Sequence, residues 1–394
     1  MWYFVSPQVI FGEDSISALE DLSGKRALII TDANLVQIGL ADQVSSKLIR
    51  AGFELQIFDE VKPDPTISTV IKGTRLAASY KPDWIVGLGG GSPMDTAKAI
   101  WVLYERPDLQ PAAINPLIRL GLRKKARLIT IPTTSGTGAE VTWGIVITDP
   151  DHQRKMGLGN RENVADIAIV DPSLASGMPP HLTADTGMDA LTHAVEGYIC
   201  TWHTDITDGL CLNAARDILQ YLPLAYEASQ AEHSDQERYR KAREKMHNAA
   251  TSAGLGFGNS LASMAHAMGH TLGSIFHLPH GRAVGLLLPY TIEFTANTAP
   301  SRIKTLAEVL GVQHPEGKAG EALASRIRDL SRVIGLPGSI AETGIKESEF
   351  TSKLEKLVDD AFNDTQMITA ARTPSFQELE QLFSYVYHGQ PIDF

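Results

Sequence analysis

Residues 84–98 read WIVGLGGGSPMDTAK, and the reading of this stretch decides the fold. The apolar, β-branched opening predicts a strand, the run Gly89-Gly90-Gly91 predicts a tight loop, and Pro93 suits the first turn of a helix. Glycines let a backbone approach a phosphate closely, and the free N–H groups of a helix N-terminus favour an anion. Strand, loop and helix in this order predict a cradle for a pyrophosphate. The stretch is neither the GxGxxG fingerprint in its usual setting nor a P-loop, because no glycine-Lys-Ser/Thr follows at the required spacing. A glycine-rich turn at a sheet edge is the plain structural alternative.

Outward from this stretch the same texture recurs. Residues 26–31 (RALIIT), 54–58 (ELQIF), 127–132 (RLITIP), 144–148 (GIVIT) and 167–170 (IAIV) all read as strands. Between several of them, residues 43–51 and 68–79 place apolar side chains near every third or fourth position, as helices do. Alternating strands and helices predict a mainly parallel sheet covered on both faces. A second loop, residues 132–140 (PTTSGTGAE), follows a strand and presents the hydroxyls of Thr133, Thr134, Ser135 and Thr137 with two glycines. Loops at strand C-terminal ends are where open α/β sheets bind ligands. Asp32, after the strand at 26–31, stands where a carboxylate accepts from a ribose diol and repels a 2′-phosphate, which selects NAD over NADP; a helix cap is the competing reading.

After Met178-Pro179-Pro180 the texture changes to long helical patterns with no convincing strand, so the boundary is expected near Pro179, between domains 1–179 and 180–394. Residues 301–311 carry Ile303, Leu306, Ala307 and Leu310 on one face, and Ser375 with Glu378 predicts a capping box. Five of the twelve histidines gather here with an aspartate. Asp189 and His193 are four apart on one helix face, with Glu196 one turn on; His266 and His270 repeat the spacing, and His277 and His280 follow. A straight helix would carry His280 about 21 Å from His266, so a shared ion requires the chain to turn back, which Gly273 and Pro279 permit. One carboxylate with imidazoles and no thiolate suits Fe(II) or Zn in a site with open positions.

The chain has 394 residues, 35 basic and 46 acidic side chains and a net charge of −11. Its longest basic cluster, Arg123-Lys124-Lys125 with Arg127, reads as a solvated helix end, so a nucleic-acid partner is excluded. Two cysteines form no disulfide framework, and neither a signal peptide nor a membrane span is legible, which predicts a cytoplasmic protein.

In order along the chain, GGGSPMDTAK, IPTTSGTGAEVT, TGMDALTHAVEGY, HAMGHTLG and LPHG resemble the iron-containing (group III) alcohol dehydrogenase family, relatives of lactaldehyde reductase and 1,3-propanediol dehydrogenase. The resemblance implies an N-terminal dinucleotide-binding α/β domain and an all-helical metal-binding domain. It implies metal ligands Asp189, His193, His266 and His280, with Fe(II) first and Zn second, and His270 near the reacting carbon as a proton relay. Implied NAD contacts are Asp32, Asp64, Gly91, Ser92, Thr133, Thr134, Thr137 and Lys155. Trp143, Gly144, Phe257 and Ala262 would line the pocket for a small primary alcohol or aldehyde, with Gly144 and Ala262 leaving room beyond three carbons. Arg282 would meet either an anionic substrate group or a neighbouring carboxylate, and His277 would lie outside the ligand set.

The expected reaction is hydride transfer between nicotinamide and the alcohol carbon, and the strand-like start at Trp2–Val5 together with the resemblance implies a homodimer or higher homo-oligomer. Competing readings are a non-redox NAD- and metal-using enzyme like 3-dehydroquinate synthase, a filament-forming module, and a metal-free reductase like maleylacetate reductase. The complete Asp/His set and the HAMGH and LPHG motifs favour the dehydrogenase.

Overall fold

The structure is a computed structural model describing residues 3–150, 154–230 and 236–394. The chain divides into two compact units, Met1–Gly177 and Met178–Phe394.

In the first unit, strands β1 (Gln8–Phe11), β2 (Arg26–Ile30), β3 (Glu54–Phe58), β4 (Trp84–Gly89), β5 (Arg127–Pro132) and β8 (Ile167–Val170) form one sheet in the order β1-β8-β5-β4-β2-β3. Every neighbouring pair is parallel. Helices α1 (Ala33–Gln37), α2 (Leu40–Arg50), α3 (Ile67–Tyr80) and α4 (Gly91–Glu105) accompany it. Alternate strand residues feed two cores: Leu28 and Ile85 join Ile100 and Trp101 on one face, while Ile29 and Val86 join Val44 and Leu48 on the other. Each such aliphatic side chain contributes about 1.5–3 kcal/mol when fully buried.

Two of the strand expectations need correction. Residues 144–149 are a strand, β6 (Gly144–Asp149), but it pairs antiparallel with β7 (Arg154–Gly159) in a separate two-stranded ribbon. The ribbon is tied down from the glycine-loop motif itself: on α4, Lys98 donates to the Gly144 carbonyl at 2.9 Å, and Asp95 accepts from the Val146 N–H at 2.9 Å. The strand-like start at residues 2–5 gives no strand at 3–5, residue 2 lying outside the described residues, and the sheet edge is β1 instead. The basic cluster is a loop ahead of β5 rather than a helix end, and Glu105 accepts from the backbone N–H groups of Lys124, Lys125 and Ala126.

The second unit carries helices α5 (Pro180–Ile199), α6 (Asp205–Ala228), α7 (Gln236–Ser260), α8 (Met264–Phe276), α9 (His280–Thr295), α10 (Pro300–Val309), α11 (Ala319–Val333), α12 (Glu347–Phe362) and α13 (Phe376–His388). Ser375 and Glu378 form the expected capping box at α13. The α8–α9 turn is made by His277, whose φ of 55° ends α8, and by Pro279 before α9; Gly273 stays inside α8. Among the described residues no helix is long and apolar enough to cross a membrane.

Cys200 and Cys211 are free and buried. Burial pushes the Cys200 thiol up to about 11 and the Cys211 thiol higher still. At pH 8 only about one Cys200 in a thousand is thiolate, the reactive form. A disulfide reagent at pH 8 is therefore expected to titrate neither thiol in the native chain and both after denaturation; rapid native labelling would contradict the packing.

Candidate active site

Along the sheet, the chain runs from β2 out to β3 and returns on the other side of β2 as β4, so the strand order reverses between β2 and β4. Open α/β sheets bind ligands at the carboxyl ends of strands at such a reversal. Asp32 follows β2, the glycine loop follows β4 and the threonine loop follows β5. The two loops face each other closely: a Cβ on Gly91 would lie 3.2 Å from Thr137 Cγ2, and one on Gly90 would lie 3.4 Å from Thr134 Oγ1. Gly90 occupies the N-cap of α4 without a side-chain cap, so the first N–H groups of that helix are left for a ligand. Thr134 Oγ1 is buried with no hydrogen-bond partner among the described residues. A bare backbone, an uncapped helix start and an orphaned hydroxyl fit a pyrophosphate.

Asp32 caps α1, its Oδ1 accepting from the Leu35 N–H at 3.0 Å. The cap uses one carboxylate oxygen, so the cap and ribose readings are compatible. Asp64 and Lys155 are brought together with each other, as an ion pair of 2.6 Å. Gly144 belongs to the ribbon, and the Trp143 ring lies against Gly159.

In the second unit, Asp189 and His193 come from one face of α5, His266 from α8, and His280 from the first position of α9. Asp189, His193 and His266 are buried, and their ligand atoms lie within 4.8 Å of one another. Asp189 Oδ1 is 3.4 Å from His280 Nε2 and 3.8 Å from both His193 Nδ1 and His266 Nε2. Asp189 Oδ1 and His266 Nε2 are buried with no hydrogen-bond partner among the described residues. Atoms bound about 2.1 Å from a tetrahedral ion lie about 3.4 Å apart. Asp189, His193 and His266 are thus spaced as atoms that could share an ion, and His280, 3.4 Å from Asp189, stands beside them as a fourth candidate.

The electrostatics favour an ionised carboxylate at the centre of the cluster. Burial opposes charge on Asp189, but the imidazoles of His193, His280 and His266 hold its carboxyl well below the usual carboxylate range. Desolvation within the cluster, joined by the imidazoles of His270, His266 and His193, pushes the part-exposed His280 down to about 3, leaving a neutral ring with a free lone pair. Burial also opposes a charge on His266, yet Asp189 and Glu196 outweigh it and hold its pKa up at about 9.

The sequence placed Glu196 one turn beyond His193 without a role. In the structure its buried carboxylate accepts from the Ser263 N–H at 2.9 Å, from the Ala265 and His266 N–H groups, and from His266 Nδ1 at 2.7 Å. It caps the start of α8 and fixes the His266 proton on Nδ1, which leaves Nε2 facing the cluster. Glu196→Gln is expected to weaken zinc binding about 10–100-fold with the fold intact. Competition against a chromophoric chelator measures this, and an unchanged Kd would refute the assignment.

His270 lies one turn beyond His266, its ring 5.4 Å from that of His280, and its Nδ1 is 2.9 Å from Asp364, a second residue that sequence reasoning missed. Phe257 stacks on His193 at 3.8 Å, and the Ala262 carbonyl accepts from Thr369. Arg282 makes two bonds to Asp185, at 3.0 and 3.2 Å, which favours the neighbouring carboxylate over an anionic substrate. His277 is exposed at the turn.

Comparison with known proteins matches residues 6–172 to the family model for iron-containing alcohol dehydrogenase, and residues 183–387 to the C-terminal model of the Fe-containing alcohol dehydrogenase family. The chain is 37% identical to an NADPH-dependent butanol dehydrogenase of Clostridium saccharobutylicum, with 100% of each chain covered. It superposes on a 1,3-propanediol oxidoreductase with a TM-score of 0.90 at 32% identity, covering 98% of this chain and 100% of that one. It also matches the sulfoacetaldehyde reductase of Bifidobacterium kashiwanohense in complex with NAD+, with a TM-score of 0.86 at 26% identity and 98% coverage of both.

Proposed function

The chain belongs to the iron-containing alcohol dehydrogenase family, and from that premise we propose that it is a metal-dependent NAD(H) alcohol dehydrogenase, or in reverse an aldehyde reductase, for small primary alcohols. The observation that carries this reading is the buried Asp189 oxygen ringed by three imidazole nitrogens. Residues 1–179 serve as the NAD-binding domain and 180–394 as the metal-binding domain. Asp189, His193, His266 and His280 hold Fe(II), or Zn as the second choice. A bound divalent ion supplies Lewis acidity, which polarises an aldehyde carbonyl and makes an alcohol hydroxyl more acidic.

The protein's own residues do the rest. Glu196 presents His266 in the right tautomer. Gly91 and Ser92 hold the pyrophosphate, and Thr133, Thr134 and Thr137 contact the cofactor beside it, a reading that the uncapped start of α4 and the orphaned Thr134 hydroxyl support. Asp32 accepts from the adenosine ribose and repels a 2′-phosphate, which favours NAD; Asp64 and Lys155 border the cofactor as a pair. His270 moves the alcohol proton, through water or a ribose hydroxyl. The chain works in the cytoplasm as a homodimer or higher homo-oligomer.

The test is NADH absorbance with the apo-protein reconstituted anaerobically with Fe(II) or Zn, against primary alcohols, diols and hydroxy acids and the matching aldehydes. Metal-dependent turnover with a kcat/KM higher for NAD than for NADP is expected. Tight binding of NAD and metal without net turnover would overturn the dehydrogenase reading, and a preference for NADP would overturn the role of Asp32.

A further inference from the structure

We propose that Asp364 is the positioning residue for His270, selecting the tautomer in which Nδ1 carries the proton and Nε2 is the bare, basic nitrogen. The catalytic consequence rests on the reading of His270 as the proton relay. Asp364 follows α12 and sits at the start of a short helical turn, Thr365–Thr369. One of its oxygens, Oδ1, accepts from the Gln366 N–H at 2.8 Å, and the other, Oδ2, lies 2.9 Å from His270 Nδ1. A carboxylate only accepts, so the ring nitrogen facing it donates. A neutral imidazole has one proton to place, and with Nδ1 protonated the lone pair is on Nε2. A relay that takes a proton from an alcohol needs that lone pair. The ring is already flanked by His280 at 5.4 Å and His266 at 6.0 Å, beside the candidate metal ligands.

The backbone makes the assignment invertible. In Asp364→Asn the Gln366 N–H still requires an acceptor, so the amide oxygen takes the Oδ1 place and the amide nitrogen faces His270. That nitrogen donates, and His270 Nδ1 must become the acceptor, which moves the ring proton to Nε2. Asn caps a helical turn as well as Asp does, so the turn at 365–369 keeps its start.

The experiment is 15N-histidine NMR on the zinc-loaded full chain, with steady-state kinetics alongside. Wild type is expected to give the Nδ1–H pattern at His270 and Asp364→Asn the Nε2–H pattern. In the same variant kcat falls on the order of a hundredfold, with zinc content and substrate KM unchanged. In a His270→Ala background the Asp364 substitution adds no further loss. An Nε2–H pattern in wild type, or an unmoved proton in Asp364→Asn, overturns the proposal whatever the kinetics do. Full kcat in His270→Ala overturns the relay reading instead, while the spectrum still judges Asp364 by itself.

Discussion

Asp189→Asn is expected to abolish metal retention and to lower kcat at least about a thousandfold. Lewis-acid stabilisation is worth several kcal/mol, and each 1.36 kcal/mol is about tenfold in rate. The substitution keeps the shape of a side chain that is 2% exposed and removes only the charge that three imidazole nitrogens surround. His266→Ala is a harsher probe, because it also strips the buried Glu196 carboxylate of the ring it binds. A ligand at about 100 times its Kd adds about 2.7 kcal/mol of stability. For a chain of 394 residues that is a Tm rise of roughly 3 °C. Wild type should show that rise on adding zinc, and Asp189→Asn should not. Metal analysis, melting curves and NADH assays read the three effects separately; an Asn variant that keeps its metal and its turnover would remove Asp189 from the ligand set. His270→Ala provides the contrast, since it should keep both metal and Tm rise and lose turnover alone.

What the sequence displayed and what it concealed divide along physical lines. Strands β2 to β5 are runs of β-branched and aromatic residues stopped by turn-formers, and their ends are legible almost to the residue. For residues 144–148 the β-branched run GIVIT announces a strand but carries no information on its partner. The sheet edge β1 is only four residues long, too short to assert a period. In the site, Asp189 and His193 are readable because a helix repeats every 3.6 residues. His280 required the turn at His277, which its left-handed φ of 55° makes; that conformation is uncommon outside glycine, and histidine's modest enrichment there is too weak a signal to place a turn. Glu196 and Asp364 left no comparable trace. Their partners lie 67 to 70 and 94 residues away, and a carboxylate's aim over such a separation is set by helix packing alone. The available signal for Asp364 was its N-cap position in Asp364-Thr365-Gln366, which names a local bond and not the distant imidazole.

Gly281→Ala, one methyl group in the last motif, is expected to cost about 1–3 kcal/mol of stability and to break the metal site as well. A Cβ there would lie 2.1 Å from the Asp185 carbonyl oxygen, 2.7 Å from its carbonyl carbon and 3.0 Å from Asp189 Cβ. Two of the three are backbone atoms of α5, so no side chain can swing aside, and α9 must move away from α5. His280 begins α9 and rides with it, while Asp189 stays on α5. A displacement of about 1 Å at a reacting centre costs on the order of a hundredfold, and the 3.4 Å approach of His280 to Asp189 is the contact that widens. Gly209→Ala on α6 is the control, because nothing lies within 4 Å of its added Cβ. In a helix that change removes glycine's excess backbone entropy and should stabilise by roughly 0.5–1 kcal/mol. The same substitution is therefore expected to act with opposite signs at two helical positions. Melting temperature measures the stability of each, and the zinc Kd separates them, unchanged for Gly209→Ala and weakened for Gly281→Ala. If Gly281→Ala melted and bound zinc like wild type, the close approach of α9 to α5 would not be what holds His280 in the cluster.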